Sequence, residues 1–225
     1  MTVSESRSTK LPDDLEFEIE SIWRREEERR GNAIFNGHVL SALDITPNGL
    51  RCRVVEYRHL LAQLTRPALY RVLRIKPVGV SGLFQCADGI VFGKRGLAVT
   101  QDPGLWELVP SGGLQYDKKA SGGEYDYRPQ IMAELQEEIG IHAGAVSSIT
   151  PFCLVHDLDS HILDIGIEMV SSLTAERVLH LHGATISGEY EALRIVPRGD
   201  IVEFVREQAR GLVGVSAKLI EQFLA

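Results

Sequence analysis

Ala133-Glu134-Leu135-Gln136-Glu137-Glu138-Ile139-Gly140-Ile141 is the stretch from which the fold of this 225-residue chain is read. Its three carboxylates, Glu134, Glu137 and Glu138, stand at i, i+3 and i+4, positions that helical geometry stacks on one face. Ile131, Leu135 and Ile139 recur at every fourth residue and mark a separate apolar face. Pro129 suits a first turn and Gly140 a stop, so the spacing predicts a helix over about 129–139. One face docks on a core and the other presents clustered negative charge.

That cluster opposes itself. Like charges one turn apart cost roughly 0.2–0.5 kcal/mol when exposed, and more where water is excluded. A hard divalent cation relieves the repulsion, because Mg²⁺ takes oxygen ligands and keeps several waters. The same residues also read as a solvated acidic helix face. The upstream run Gly104-Leu105-Trp106-Glu107-Leu108-Val109-Pro110-Ser111-Gly112-Gly113 separates the two readings.

With that run in place the chain resembles the Nudix hydrolase family, whose box reads G-x5-E-x7-R-E-U-x-E-E-x-G-U with U apolar. Glu134 to Ile141 match every fixed position of its second half. The Trp-Glu-x-x-Pro-x-Gly-Gly lead-in is family-like. Lys76-Pro77-Val78-Gly79-Val80 and Asp88-Gly89-Ile90-Val91-Phe92-Gly93-Lys94-Arg95 resemble the first core strands, and the likeness spans about Lys76 to Phe204. Two departures stand out. Ala133 occupies the place of the box arginine, and the stretch from Gly113 to Glu134 is longer than the family spacing, so residues about 116–123 read as an inserted loop. Glu124 is the nearest counterpart of the first box glutamate, one position out of register. Arg128 reads as a substitute for the box arginine or as a solvated residue ahead of Pro129.

The resemblance implies an α/β fold, a Nudix α/β/α sandwich with a mixed sheet over residues 76–225, behind an N-terminal α+β extension over 1–75. It implies Mg²⁺, with Mn²⁺ as an alternative, held by Glu134, Glu137, Glu138 and the carbonyl of Gly113. Glu134 and Glu189 are the expected catalytic residues. Glu189, in Ser187-Gly188-Glu189-Tyr190-Glu191, is an extra ligand or a general base, with Glu191 as its rival. The expected reaction is hydrolysis of the diphosphate linkage of a nucleoside diphosphate joined to another moiety. Phe35-Asn36-Gly37 ahead of hairpin-like strands resembles the UDP-glucose pyrophosphatase branch, which points to a nucleotide-sugar. Among Arg58, Arg71, Arg74 and Arg95, all candidates for a bidentate phosphate contact, Arg58 and Arg95 are the expected substrate-binding residues. A homodimer is a family-level expectation. The competing class is a catalytically impaired Nudix-fold module that binds a nucleotide or regulates a partner, motivated by Ala133 and Glu124. A diphosphate isomerase on the same fold needs a Cys and Glu pair that the sequence does not offer.

The rest of the chain narrows the setting. A net charge of −7 argues against a nucleic-acid backbone as partner. Cys52, Cys86 and Cys153 form no zinc pattern or disulfide framework, which fits a reducing cytoplasm. The polar start carries no secretory h-region, and no apolar run reaches bilayer length. Residues 1–12 read as a frayed tail, Ile19–Arg30 as a charged helix, Val39–Leu43 and Leu50–Tyr57 as a hairpin around Pro47-Asn48-Gly49, and Arg58–Leu73 as helix with a break near Pro67. Val78–Cys86, Ile90–Lys94, Trp106–Val109, Ser148–Val155, His161–Ser171 and Tyr190–Val196 read as strands, and Asp200–Arg210 and Ser216–Leu224 as helices. His156, Asp157, Asp159 and His161 read as a polar hairpin tip. Trp106 and Phe84 read as core, and Asp164, alternating with apolar residues, has no assigned role.

Overall fold

Leu15, Ile19, Ile22 and Trp23 recur at helical spacing, and the chain folds there into α1 (Asp13–Arg30), with the last three buried. Asp13, Asp14 and Glu16 sit in its first turn and Arg29 and Arg30 in its last, the arrangement that the helix dipole favours. The computed structural model describes residues 2–4, 11–31, 34–46, 49–99, 101–116 and 124–225. These divide into two units, the first drawn from Met1–Val78, Gly113–Asp126 and Asp157–Leu163 and the second from Gly79–Gly112, Tyr127–His156 and Asp164–Ala225.

In the first unit, β1 (Thr2–Ser4), β2 (His38–Thr46) and β3 (Gly49–Glu56) form a sheet in the order β1-β3-β2. β2 and β3 are the expected antiparallel hairpin, with a register shift between Ala42 and Asp44. Its turn residues Pro47 and Asn48 lie outside the described residues, as do residues 117–123 of the expected inserted loop. Thr2–Ser4 is not frayed: it pairs in parallel with Arg51–Arg53 on the free edge of β3. α2 (Tyr57–Thr65) gives way at Pro67 to a 3-10 turn and then to α3 (Tyr70–Leu73). Ile19, Ile22, Leu60, Ala62, Leu69, Leu73 and Ile75 form the core. Buried Gln63 donates to the carbonyl of Ile75 at 2.8 Å and accepts from its N–H at 3.0 Å, so its amide is satisfied.

The later segments join this unit by backbone pairing. Leu40 N–H donates to Leu114 O and Leu114 N–H to Val78 O. The His161 ring stacks on Tyr70 at 3.4 Å. Asp157 accepts from Asp159 N–H at 3.0 Å and from the Ser160 hydroxyl at 2.5 Å, which makes this segment the polar turn its composition predicts.

In the second unit β4 (Val78–Cys86) and β5 (Gly89–Arg95) pair antiparallel around Ala87-Asp88. β6 (Trp106–Leu108) pairs with β5, and β7 (Ser111–Gly113) with β4. α4 (Arg128–Ile139) is followed by β8 (Val146–His156), β9 (Leu163–Ser171), α5 (Ala175–Gly183), β10 (Tyr190–Val196), α6 (Ile201–Glu207) and α7 (Gly214–Leu224). The strands make a mixed sheet in the order β10-β5-β4-β9-β8, flanked by helices. The carboxylate helix starts one residue before its expected position and stops where Gly140 takes φ 73°.

Leu83, Ile90, Phe92 and Leu108 pack against Ile201, Phe204, Leu219 and Ile220 on one face of the sheet. Burial of each such side chain stabilises by about 1.5–3 kcal/mol. Phe84 is fully buried and Trp106 half-buried on this core, both as expected. Phe92 stands opposite Leu108 and Gly93 opposite Glu107. Successive residues point to opposite faces, so Gly93 and Glu107 turn to the far side of the sheet.

Candidate active site

The three carboxylates of α4 do not share one environment. Glu137 is exposed, Glu134 half-buried, and Glu138 only 5% exposed. The face expected to present charge to solvent is turned partly against the protein. The Glu138 carboxylate accepts the Ser111 N–H at 3.3–3.4 Å. Glu134 lies against the next residue of β7: a Cβ on Gly112 would come within 2.5 Å of Glu134 Oε1 and 2.7 Å of its carboxyl carbon. Glycine lets the backbone approach the carboxylate this closely without displacing it.

The far side of the sheet adds two more carboxylates. Glu107, on β6, is 5% exposed and paired with Arg95 at the end of β5. The Arg95 guanidinium also pairs with Glu189 at 2.9 Å, and its Nε donates to Gln101 O at 2.9 Å. Tyr190 donates its hydroxyl to Glu107 Oε1 at 2.8 Å.

Burial pushes Glu138 well above the usual carboxylate range, and the charges of Glu134, Glu107 and Glu189 push it further. Burial also raises Glu134, with Glu137 and Glu189 adding to the effect against a hydrogen bond from Gln130. Glu107 is raised by burial, opposed by Arg95 and by the Tyr190 hydroxyl. Glu107, Glu134, Glu138 and Glu189 thus feel one another, with one guanidinium, Arg95, paired among them. Oxygen-only donors under mutual repulsion fit a hard divalent cation in chemical kind. Among the described residues, no three His, Cys, Asp or Glu side chains are disposed to hold a metal ion.

Of the residues singled out by sequence, Glu134, Glu138, Glu189 and Arg95 are brought together. Gly113 follows Gly112 as the last residue of β7 and belongs to the first unit. Arg58 also lies in the first unit, where it pairs with Glu56 at 2.8 Å and Glu16 at 3.1 Å. Glu191 pairs with Lys94 at 2.7 Å. Ala133, Glu124 and Arg128 are exposed, the last with its guanidinium 6.0 Å from the Tyr127 ring centroid. Asp164 is shielded from solvent at Oδ1, which has no hydrogen-bond partner among the described residues, and its Oδ2 would lie 2.8 Å from a Cβ on Gly79. Sequence reading missed Glu107 and Tyr190 as members of the cluster. A polar residue at the centre of the apolar run Trp106–Val109 was the available signal for Glu107; its partners are distant in sequence.

No protein-family model matches the chain, and no curated protein matches it. Solved structures similar to it include the Nudix domain of NrtR from Shewanella oneidensis complexed with ADP ribose, 15% identical over 64% of this chain and 84% of that one, with a TM-score of 0.45. A MutT protein from Methanosarcina mazei Go1 is 17% identical over 65% and 91%, with a TM-score of 0.44. A Nudix hydrolase from Nitrosomonas europaea is 15% identical over 65% and 87%, with a TM-score of 0.45. The similarity is one of fold.

Proposed function

We propose that this chain is a divalent-metal-dependent hydrolase that cleaves the diphosphate linkage of a nucleoside diphosphate joined to another moiety. The observation that carries this reading is the burial of Glu134 and Glu138 against Ser111-Gly112, with Glu189 close enough to perturb both and Glu107 to perturb Glu138. Glu134, Glu137 and Glu138 would hold Mg²⁺, or Mn²⁺ in its place. When bound, the ion would offset phosphate charge and acidify a water.

The chain's own groups do the remaining work. The Ser111 N–H fixes the Glu138 carboxylate. Gly112 lets the β7 backbone close on Glu134. Glu189 is the proposed general base: it takes a proton from the attacking water as the water oxygen bonds to phosphorus and the anhydride P–O bond breaks. Both products leave as phosphorylated halves. A nucleotide-sugar such as UDP-glucose is the first substrate proposed, with ADP-ribose, dinucleoside polyphosphates and noncanonical triphosphates as the comparison set.

Phosphorus NMR tests the proposal. With Mg²⁺, one conjugate of this set should give new phosphomonoester resonances, and Glu138→Gln should lower the rate about 100-fold or more. Binding without product in either protein would instead make the chain a nucleotide-binding module, a reading that Ala133, exposed on α4 where the family box has arginine, keeps in view.

A further inference from the structure

We propose that Arg95 is a positioning residue, which clamps Glu107 and Glu189 together and does not bind substrate phosphate. The kinetic part of this inference rests on the hydrolase reading above; the structural part does not. The Arg95 side chain is 11% exposed, and each edge of its guanidinium is engaged: Nη1 with Glu107, Nη2 with Glu189, Nε with the carbonyl of Gln101. All three guanidinium nitrogens are thus engaged, and a phosphate would have to compete with two carboxylates for the N–H donors that remain on a side chain largely shut off from solvent. A planar fork can hold two carboxylates in fixed relation, which a lysine ammonium cannot reproduce.

Backbone contacts make the same junction. Gly96 N–H donates to Glu189 O at 2.8 Å. A Cβ on Gly96 would come 2.8 Å from Gly188 O, and one on Gly93 would come 2.5 Å from the Tyr190 ring. Gly188-Glu189-Tyr190 is therefore laid flat on the end of β5, through contacts that glycine at positions 93 and 96 permits. The Tyr190 hydroxyl returns to the same Glu107 oxygen that Arg95 holds. The β6 carboxylate, the β5 guanidinium and the segment leading into β10 form one closed network. Glu189, 35% exposed at its side chain, has room to swing outward once the guanidinium is gone.

Two readouts test the clamp. In protein labelled with ¹³C at the glutamate carboxyls, Arg95→Lys should shift the Glu107 and Glu189 resonances and narrow that of Glu189 toward a mobile carboxylate. Unchanged resonances would overturn the clamp, whether or not any turnover is found. In the phosphorus assay, Arg95→Lys should lower kcat about 100-fold with KM within threefold of the parent, since misplacement of a reacting group by about 1 Å has that effect. A raised KM with kcat unchanged would mark Arg95 as a phosphate ligand and overturn the proposal. The double variant Arg95→Gln/Glu107→Gln removes the stranded charge, so it should melt at the parental temperature while kcat stays low; recovery of kcat would also refute the clamp. Absence of turnover by the parent protein with every conjugate would defeat the hydrolase reading and leave the carboxyl resonances to decide the clamp.

Discussion

Asp164 is the clearest case of a residue whose state the fold sets. Burial pushes its carboxyl up to about 7 from an ordinary 3.8, against a hydrogen bond with Ser81, and Oδ1 has no partner among the described residues. The folded value lies above the unfolded one. Its contribution to stability is therefore complete below about pH 3.8 and is lost as pH rises through about 7. Asp164→Asn should leave stability near pH 4 unchanged and raise it above pH 7 by on the order of 4 kcal/mol. Thermal melts from pH 4 to 8.5 would show this, and an equal effect at both ends would refute it. Glu134, Glu137 and Glu138 were legible from spacing because one helix carries them. Glu107, Arg95 and Tyr190 meet only when separate strands pair, and no local pattern announces that meeting. The expected substrate arginines illustrate the limit: a bidentate group suits phosphate, yet in this fold carboxylates take up the Arg58 and Arg95 guanidinium groups.

At the scale of elements, the contact between β7 and α4 fixes the site. Gly112→Ala would place a methyl group 2.5 Å from Glu134 Oε1. The carboxylate must move, and we expect at least about a tenfold loss of turnover with about 1–3 kcal/mol of destabilisation. Parental activity in that variant, measured by the phosphorus assay, would show that Glu134 does not need its place beside β7. The strands β4, β5, β9 and β10 were legible because their apolar runs end in turn residues, and α4 because proline and glycine bracket it. Three elements were not. β1 is made by an edge that its own sequence does not encode. β7 is three residues long, two of them glycine, and it is a strand because β4 lies beside it. α5 is short and buries only Val178; its signal was a cap, the Thr174 side chain accepting the Arg177 N–H at 3.3 Å.

At the scale of the whole chain, the sandwich was legible because residues 76–225 alternate strand and helix patterns, which layered packing around a sheet accommodates. Membership of the first unit was less so. Segments Gly113–Asp126 and Asp157–Leu163 join it through backbone bonds to residues far upstream, such as Leu163 N–H to Pro77 O at 2.9 Å, and polar loops carry no sequence trace of such partners. Among the described residues no helix is long and apolar enough to cross a membrane. With a net charge of −7, nonspecific cation binding is a real background for any metal experiment, so the decisive comparison is between parent and variant at fixed ionic strength. Electron paramagnetic resonance of free Mn²⁺ provides it. The account predicts saturable uptake by the parent protein that Mg²⁺ displaces and that Glu134→Gln/Glu138→Gln abolishes; equal uptake by parent and variant, or none by either, would contradict it.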